Sequence, residues 1–219
     1  MSRDSTLERI LEGGIVAVVR SDSPEQLVGA VRALAEGGVT AAEITFTVPN
    51  ALEVISRVRA ALGDSIVLGA GSVLDPETAR AAILAGAEYI VGPGTNLDVI
   101  RLCRRYGKVV MPGALTPTEV ITAWEAGADV VKIFPSDLGG PAYIKALRAP
   151  LPQIRMMPTG GVDLTTAEAF LKAGACCLGV GGSLVEAKAV ASGDFDRLRD
   201  LASRFAAIVR EFRAASRTA

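Results

Sequence analysis

Histidine is absent from this chain of 219 residues. That absence excludes Ser-His-Asp triads, Cys-His dyads and His-based metal centres. Acid–base chemistry therefore falls to Glu, Asp, Lys, Tyr or water. Cysteine is scarce: Cys103, Cys176 and Cys177 are odd in number and lack metal-ligand spacing, and the adjacent pair lies in an apolar stretch as small core residues. Aromatic residues make up 5% of a chain that is 50% hydrophobic. The apolar mass is Ala, Val, Leu and Ile, which suits helices packed closely on parallel strands. No block of Lys and Arg is present and the formal net charge is -1, so nothing points to nucleic acid or an anionic membrane as partner. No apolar run is long enough to span a bilayer. The polar start, Met-Ser-Arg-Asp-Ser-Thr, is followed by no signal-peptide core. The chain reads as cytoplasmic.

Lysine is also rare. Lys108, Lys145, Lys172 and Lys188 fall at segment edges or in polar helical patterns. Lys132 alone sits inside an apolar run, Ala-Asp-Val-Val-Lys-Ile-Phe-Pro, where a strand runs out into a loop. A buried ammonium costs several kcal/mol unless paired. Lys132 must therefore be paired, neutralised or used, and a neutral amine attacks a ketone to form a Schiff base. An unperturbed lysine pKa is about 10.4, so such a role requires the site to lower it towards 7–8.

Short β-type runs alternate with amphipathic helical stretches. The pattern predicts strands at 15–19, 42–45, 66–70, 89–91, 109–111, 130–133, 155–157 and 177–180. Helices are predicted at 24–36, 51–62, 76–85, 97–106, 118–125, 142–147 and 165–172, with a short helix before residue 15 and a long one over 194–213. Ser23-Pro24-Glu25 and Asp75-Pro76-Glu77 place a capping side chain before a first-turn proline. Four segments, around residues 37, 86, 127 and 174, end a helix with glycine and open a strand. Strands recur about every 20 to 25 residues with no Pro/Ser-rich linker, the period of a βα unit. The whole chain, 1–219, reads as one α/β domain, a single (β/α)8 TIM barrel with an N-terminal and a C-terminal helix. An open doubly wound sheet is the competing architecture.

In such barrels the reacting groups stand at the C-terminal ends of strands. Strand alternation puts Val16, Val18 and Arg20 on one inward face, Glu43, Thr45 and Thr47 on another, Leu68, Ala70 and Ser72 on a third, and Val130, Lys132 and Phe134 on a fourth. Arg20, Glu43, Ser72 and Lys132 then share one mouth. Each has a plainer reading. Lys132 and Glu43 form a structural ion pair, or they are nucleophile and acid–base. Arg20 caps the rim, or its planar guanidinium grips a carboxylate. The glycines around Ser72 serve only close packing, or its hydroxyl meets a ligand. Pro93 and Phe134 shape a pocket wall or merely pack, and Trp124 reads as structural. Pro158-Thr159-Gly160-Gly161-Val162 and Gly179-Val180-Gly181-Gly182-Ser183 follow the seventh and eighth strands. There they form tight turns or, as the favoured reading, a phosphate site of backbone N–H groups.

Six segments in order, Gly-Ile-Val-Ala-Val-Val-Arg20, Glu43-Ile-Thr-Phe-Thr-Val-Pro-Asn, Gly-Ala-Gly-Ser72-Val-Leu, Met-Pro-Gly-Ala-Leu-Thr-Pro-Thr-Glu, Val-Lys132-Ile-Phe-Pro and Pro-Thr159-Gly-Gly-Val, resemble the KDPG (2-keto-3-deoxy-6-phosphogluconate) and 4-hydroxy-2-oxoglutarate aldolases over nearly the whole chain. The resemblance implies a class I, metal-independent and cofactor-free aldolase, commonly trimeric, acting on a phosphorylated keto acid and releasing pyruvate. It makes Lys132 the Schiff-base lysine, Glu43 the general acid–base and Arg20 the ligand of the pyruvyl carboxylate. Ser72 keeps the hydroxyl of a family Gly-Ala-Gly-Thr motif. Thr159, Gly160 and Gly161, with Gly182 and Ser183, map to the family's ligand and phosphate loops. One departure is Thr47, where some members carry a phosphate-binding arginine. A galactonate-series substrate, an isomerase or epimerase on a phosphate-binding barrel, and a non-catalytic oligomeric scaffold are the alternatives. The missing histidine weighs against the isomerase.

Overall fold

The computed structural model describes residues 1–22 and 24–218; the predicted cap at Ser23 lies outside the described residues. In chain order the elements are α1 (Arg3–Gly13), β1 (Ile15–Val19), α2 (Leu27–Glu36), β2 (Ala41–Thr45), α3 (Ala51–Leu62), β3 (Val67–Gly71), α4 (Pro76–Ala85), β4 (Tyr89–Val91), α5 (Leu97–Arg105), β5 (Val109–Met111), β6 (Gly113–Ala114), α6 (Pro117–Glu125), β7 (Val131–Ile133), α7 (Gly140–Arg148), β8 (Met156–Pro158), α8 (Ala167–Lys172), β9 (Leu178–Val180), α9 (Ala187–Ser192) and α10 (Phe195–Thr218). Local chemistry explains the boundaries. Asp75 caps α4, its carboxylate accepting from Thr78 N at 2.6 Å, and the proline at the first helical position needs no N–H there. Thr116 and Glu119 close α6 with a reciprocal capping box. In the four helix-end repeats the left-handed residues are Gly38, Gly86, Gly127 and Gly174. Three features differ from expectation. The helix expected from residue 24 starts as a 3-10 turn at Pro24–Gln26. The short helix α9 carries no strong sequence pattern. A two-residue strand, β6, which the pattern does not predict, follows the fifth strand.

All strand pairs are parallel, in one sheet ordered β5-β4-β3-β2-β1-β9 and a second ordered β6-β7-β8. This is an α/β fold with a curled parallel sheet. Pro112, which has no N–H to give a ladder, separates β5 from β6. Hydrogen bonds nonetheless cross both seams. Lys132 N donates to Pro112 O at 2.9 Å and Asp129 N to Val110 O at 3.0 Å; Cys176 N donates to Met156 O at 3.0 Å, and Thr159 bridges Gly179.

Alternation along the strands sorts the apolar residues into two cores. Ile44, Leu68, Ala70, Ile90, Val131 and Ile133 face outward and pack with helix residues such as Leu34, Ile55 and Phe205. Val16, Ala41, Val67, Tyr89, Val109, Val130 and Met157 face the interior, joined by Ile10 of α1, with Leu7 and Leu11 packed against them. Helix α1 thus plugs one end, and Arg3 is clamped to Asp129, whose other carboxylate oxygen accepts from Val110 N at 2.9 Å. Each buried aliphatic side chain contributes about 1.5–3 kcal/mol, so the larger outer layer carries most of the stability. The interior layer is free to hold polar groups. Burial pushes the Cys103 thiol up to about 12, with the Asp129 charge adding to it; Trp124 packs on the outer core.

The interior fits closely at β3. A methyl group at Gly69 would overlap the Tyr89 ring, Cζ first. Gly69→Ala should therefore cost about 1–3 kcal/mol through overpacking. A lowered urea midpoint with an unchanged slope is the expected reading, and an unchanged midpoint contradicts the packing.

Candidate active site

Register puts the key side chains in known rows. Glu43 lies opposite Val18 on one side and Gly69 on the other. Lys132 lies between Gly113 and Met157. Both share the parity of the interior core residues Ala41, Val130 and Met157, so both point inward. Glu43 is 1% and Lys132 6% exposed. The alternation that predicted these two positions also places Val16 and Val18 correctly. It fails at β3: Leu68 and Ala70 belong to the outer core, while Gly69 and Gly71 hold the interior positions. Ser72 has a positive φ of 58°, so counting back from it gives the wrong phase.

The glycines of β3 make room. A methyl group at Gly71 would strike the Glu43 carboxylate, lying 2.7 Å from Cδ. Neither Glu43 oxygen has a hydrogen-bond partner in the protein, so Glu43 and Lys132 are not joined in a structural ion pair. Burial raises the Glu43 pKa above the ordinary carboxylate value, and the charges of Lys132 and then Arg20 pull it partly back. A buried carboxyl with free oxygens and a raised pKa is suited to accept and return a proton. Lys132 Nζ stands 5.0 Å from the centre of the Phe134 ring.

Above this row opens a cavity of about 890 Å³, lined among others by Arg20, Phe134, Thr159, Gly160, Gly182 and Ser183. Gly161 lines it too, and Val18, the neighbour of Glu43, reaches it from below. Hydroxyl donors fix the loop after β8: Ser136 Oγ donates to Gly160 O at 2.5 Å, Thr166 Oγ1 to Gly161 O at 2.8 Å and Ser183 Oγ to Val162 O at 2.5 Å. The buried Thr159 hydroxyl has no protein partner. Glu43, Lys132, Ser72 and Pro93 are not among the residues lining this cavity; the Pro93 carbonyl packs against Gly113 beside Lys132. Thr47 is exposed, its hydroxyl 2.7 Å from that of Thr45. Sequence reasoning passed over Lys188 and Asp163, which line the cavity, and Tyr89. The signal for Tyr89 was a lone polar aromatic in a buried strand facing a Gly-x-Gly strand. Among the described residues no three His, Cys, Asp or Glu side chains converge as a metal-ligand set, and no helix is long and apolar enough to cross a membrane.

A family model of KDPG and KHG aldolases matches residues 7–201. The chain belongs to the KDPG and KHG aldolase family. It is 38% identical over 205 residues to the 2-dehydro-3-deoxy-phosphogluconate aldolase of Treponema pallidum, covering 93% of this chain and 95% of that one. It is 39% identical over 174 residues to the 2-dehydro-3-deoxy-6-phosphogalactonate aldolase of Escherichia coli, covering 79% and 85%. The crystal structure of the 2-keto-3-deoxy-6-phosphogluconate aldolase of Zymomonas mobilis with 3-phosphoglycerate superposes with a TM-score of 0.80 at 27% identity, over 94% of this chain and 95% of that one. Within this aldolase family fold, the buried Glu43 and Lys132 and the glycine-lined cavity beside them lie towards one end of the curled sheet.

The raised pKa of Glu43 has a consequence for stability. A carboxyl whose pKa rises on folding keeps a proton that the unfolded chain has already lost, so stability falls as pH climbs from the ordinary carboxylate range through the raised value. Glu43→Gln removes that loss. Its melting temperature should exceed the parent's at about pH 8, with the gap closing towards about pH 4; a gap independent of pH contradicts the assignment.

Proposed function

We propose that this protein is a class I aldolase that reversibly cleaves KDPG to pyruvate and glyceraldehyde 3-phosphate, with 4-hydroxy-2-oxoglutarate as a second substrate giving pyruvate and glyoxylate. The observation that carries the reading is Lys132, buried and pointing inward, within electrostatic range of an unpartnered, buried Glu43. The neutral Lys132 amine adds to the C2 ketone, and loss of water from the carbinolamine leaves an iminium. Glu43 takes the C4 hydroxyl proton through a water molecule. The C3–C4 bond breaks, its electrons pass into the iminium to give an enamine, and the aldehyde departs. Protonation at C3 restores an iminium, whose hydrolysis frees pyruvate and the amine. The iminium is the electron sink, so no metal or cofactor is required of the mechanism.

Arg20 at the rim grips the pyruvyl carboxylate bidentately. The loops after β8 and β9, with Thr159, Gly160, Gly161, Gly182 and Ser183, receive the phosphate, as glycine backbones allow close approach to an anion. With Thr47 tied to Thr45 in place of an arginine, the phosphate depends on those loops. Ser72 and Pro93 then support the wall without touching the phosphate end. Closure of the two sheets into one (β/α)8 barrel is supported by the hydrogen bonds that cross both seams. A cytoplasmic homotrimer is the assembly and location we adopt, on the family resemblance.

Borohydride reduction in the presence of pyruvate should leave a stable adduct that peptide mapping places on Lys132. Lys132→Met should abolish both adduct and cleavage. Labelling elsewhere, or cleavage at the parent rate in that variant, would reject the reaction. Chelation with EDTA should leave the rate unchanged; a large loss would indicate a metal-dependent aldolase. Comparing the C4 epimers with and without phosphate fixes the substrate series, and faster cleavage of the galactonate epimer would reassign it.

A further inference from the structure

Glu43, Gly69 and Tyr89 occupy one row across three adjacent strands, since Glu43 pairs with Gly69 and Gly69 with Tyr89. Strands lie about 4.8 Å apart, so two side chains separated by a full strand meet only if the middle residue leaves the space. Gly69 does. A methyl group there would fall inside the outer end of the Tyr89 ring, with Cζ the nearest atom. The ring therefore lies over the β3 backbone and carries its hydroxyl towards the Glu43 strand. Tyr89 is fully buried, and its hydroxyl has no protein partner. Both Glu43 oxygens share that condition. Buried polar atoms are paired in the great majority of cases, and one water bridging the Tyr89 hydroxyl and the Glu43 carboxylate would supply the missing partners.

We infer that Tyr89 is a positioning residue for Glu43: its phenol donates, through a shared internal water, to the carboxylate and holds that water for the C4 hydroxyl proton. This rests on the aldolase reading for its catalytic meaning. The charged and titratable groups facing Glu43 are Lys132 from β7 and Arg20 beyond β1. Those facing Tyr89 are Glu43 and Cys177, and burial followed by the Glu43 charge raises the phenol's pKa well above 10.0. The phenol therefore stays protonated and acts as a donor throughout the working range. β3 contributes only glycines to the row. A donor to the ionised carboxylate favours ionisation, so Tyr89 offsets part of the effect of burial on Glu43.

The test is Tyr89→Phe, which removes one oxygen and keeps the ring. The acid limb of the kcat/KM profile should move up by about half to one pH unit. The cleavage rate should fall roughly tenfold at neutral pH, while borohydride trapping of pyruvate on Lys132 stays at the parent level. An unmoved limb with a rate within about twofold of the parent overturns the inference. If the parent itself fails to trap pyruvate, the aldolase reading fails first, and the coupling is then read from stability alone. In that arm, the pH at which the parent loses stability relative to Glu43→Gln should rise in the Tyr89→Phe background. An identical midpoint overturns the coupling whatever the reaction. The same measurement serves if Tyr89→Phe is less stable, because it reads a midpoint and not a melting temperature.

Discussion

Burying the Glu43 carboxyl with both oxygens unpaired costs on the order of 1–3 kcal/mol or more, and the interior is arranged around that cost. Gly69 and Gly71 clear the space the group needs, while the Lys132 and Arg20 charges reduce but do not cancel the effect of burial on its proton. Pairing Glu43 fully with Lys132 would have been the easier solution. It would also have tied up the amine that the proposed reaction needs as a free nucleophile. Leaving the acid unbonded keeps its oxygens free to meet a substrate or water. That is the compromise on which the proposed reaction depends.

The opposite end of the sheet shows the alternative. Glu88, one residue before Tyr89 and nearly as buried as Glu43, receives Lys108 at 3.1 Å, Arg59 at 3.7 Å and the N-terminal ammonium at 3.9 Å. Asp129 is held by Arg3 and caps a strand amide. Acidic side chains at that end are satisfied as soon as they are buried, and helix α1 is clamped in place by them. Glu43 of β2 and Glu88, just before β4, thus meet opposite fates. The difference lies in what surrounds each of them, not in the residue type. Stability is concentrated in the helix-facing layer and at the plugged end, and the unsatisfied groups at the mouth draw on it.

Much of this was legible in the residues. Strand and helix positions followed from periodicity and from Gly, Pro and Asp punctuation, because each helix carries its own stop and start. Lys132 stood out because an ammonium in an apolar run needs a reason, and Glu43 because it shared that parity. What failed was local. Strand alternation is a phase count, and a left-handed Ser72 shifts it by one, so β3 was given Leu68 and Ala70 in place of its glycines. The two-residue β6 beyond Pro112 is too short for a periodicity to announce it. Lys188 and Asp163 reach the cavity from loops and a short helix, where no periodicity announces a neighbour. Tyr89 needed register: its meaning arises only when Gly69 is known to stand between it and Glu43.

Glycine in this interior does two kinds of work, and separating them clarifies the site. At Gly160 and Gly161, with φ of 96° and 69°, it permits a backbone path that a side chain would strain, as a loop approaching an anion requires. At Gly69 and Gly71 the backbone is ordinary strand, and what matters is the missing side chain. A residue of any size there would separate Tyr89 from Glu43 and press on the carboxylate. The first pair shapes what the cavity receives and the second shapes how its acid behaves. A change at β3 would therefore be felt in proton transfer, whereas a change after β8 would be felt in binding. In the proposed reaction, binding energy gathered at the loops after β8 and β9 contributes to rate only in so far as it holds the reacting carbons over Lys132 and Glu43. The two glycine sets are thus linked through the substrate while remaining separate in the fold.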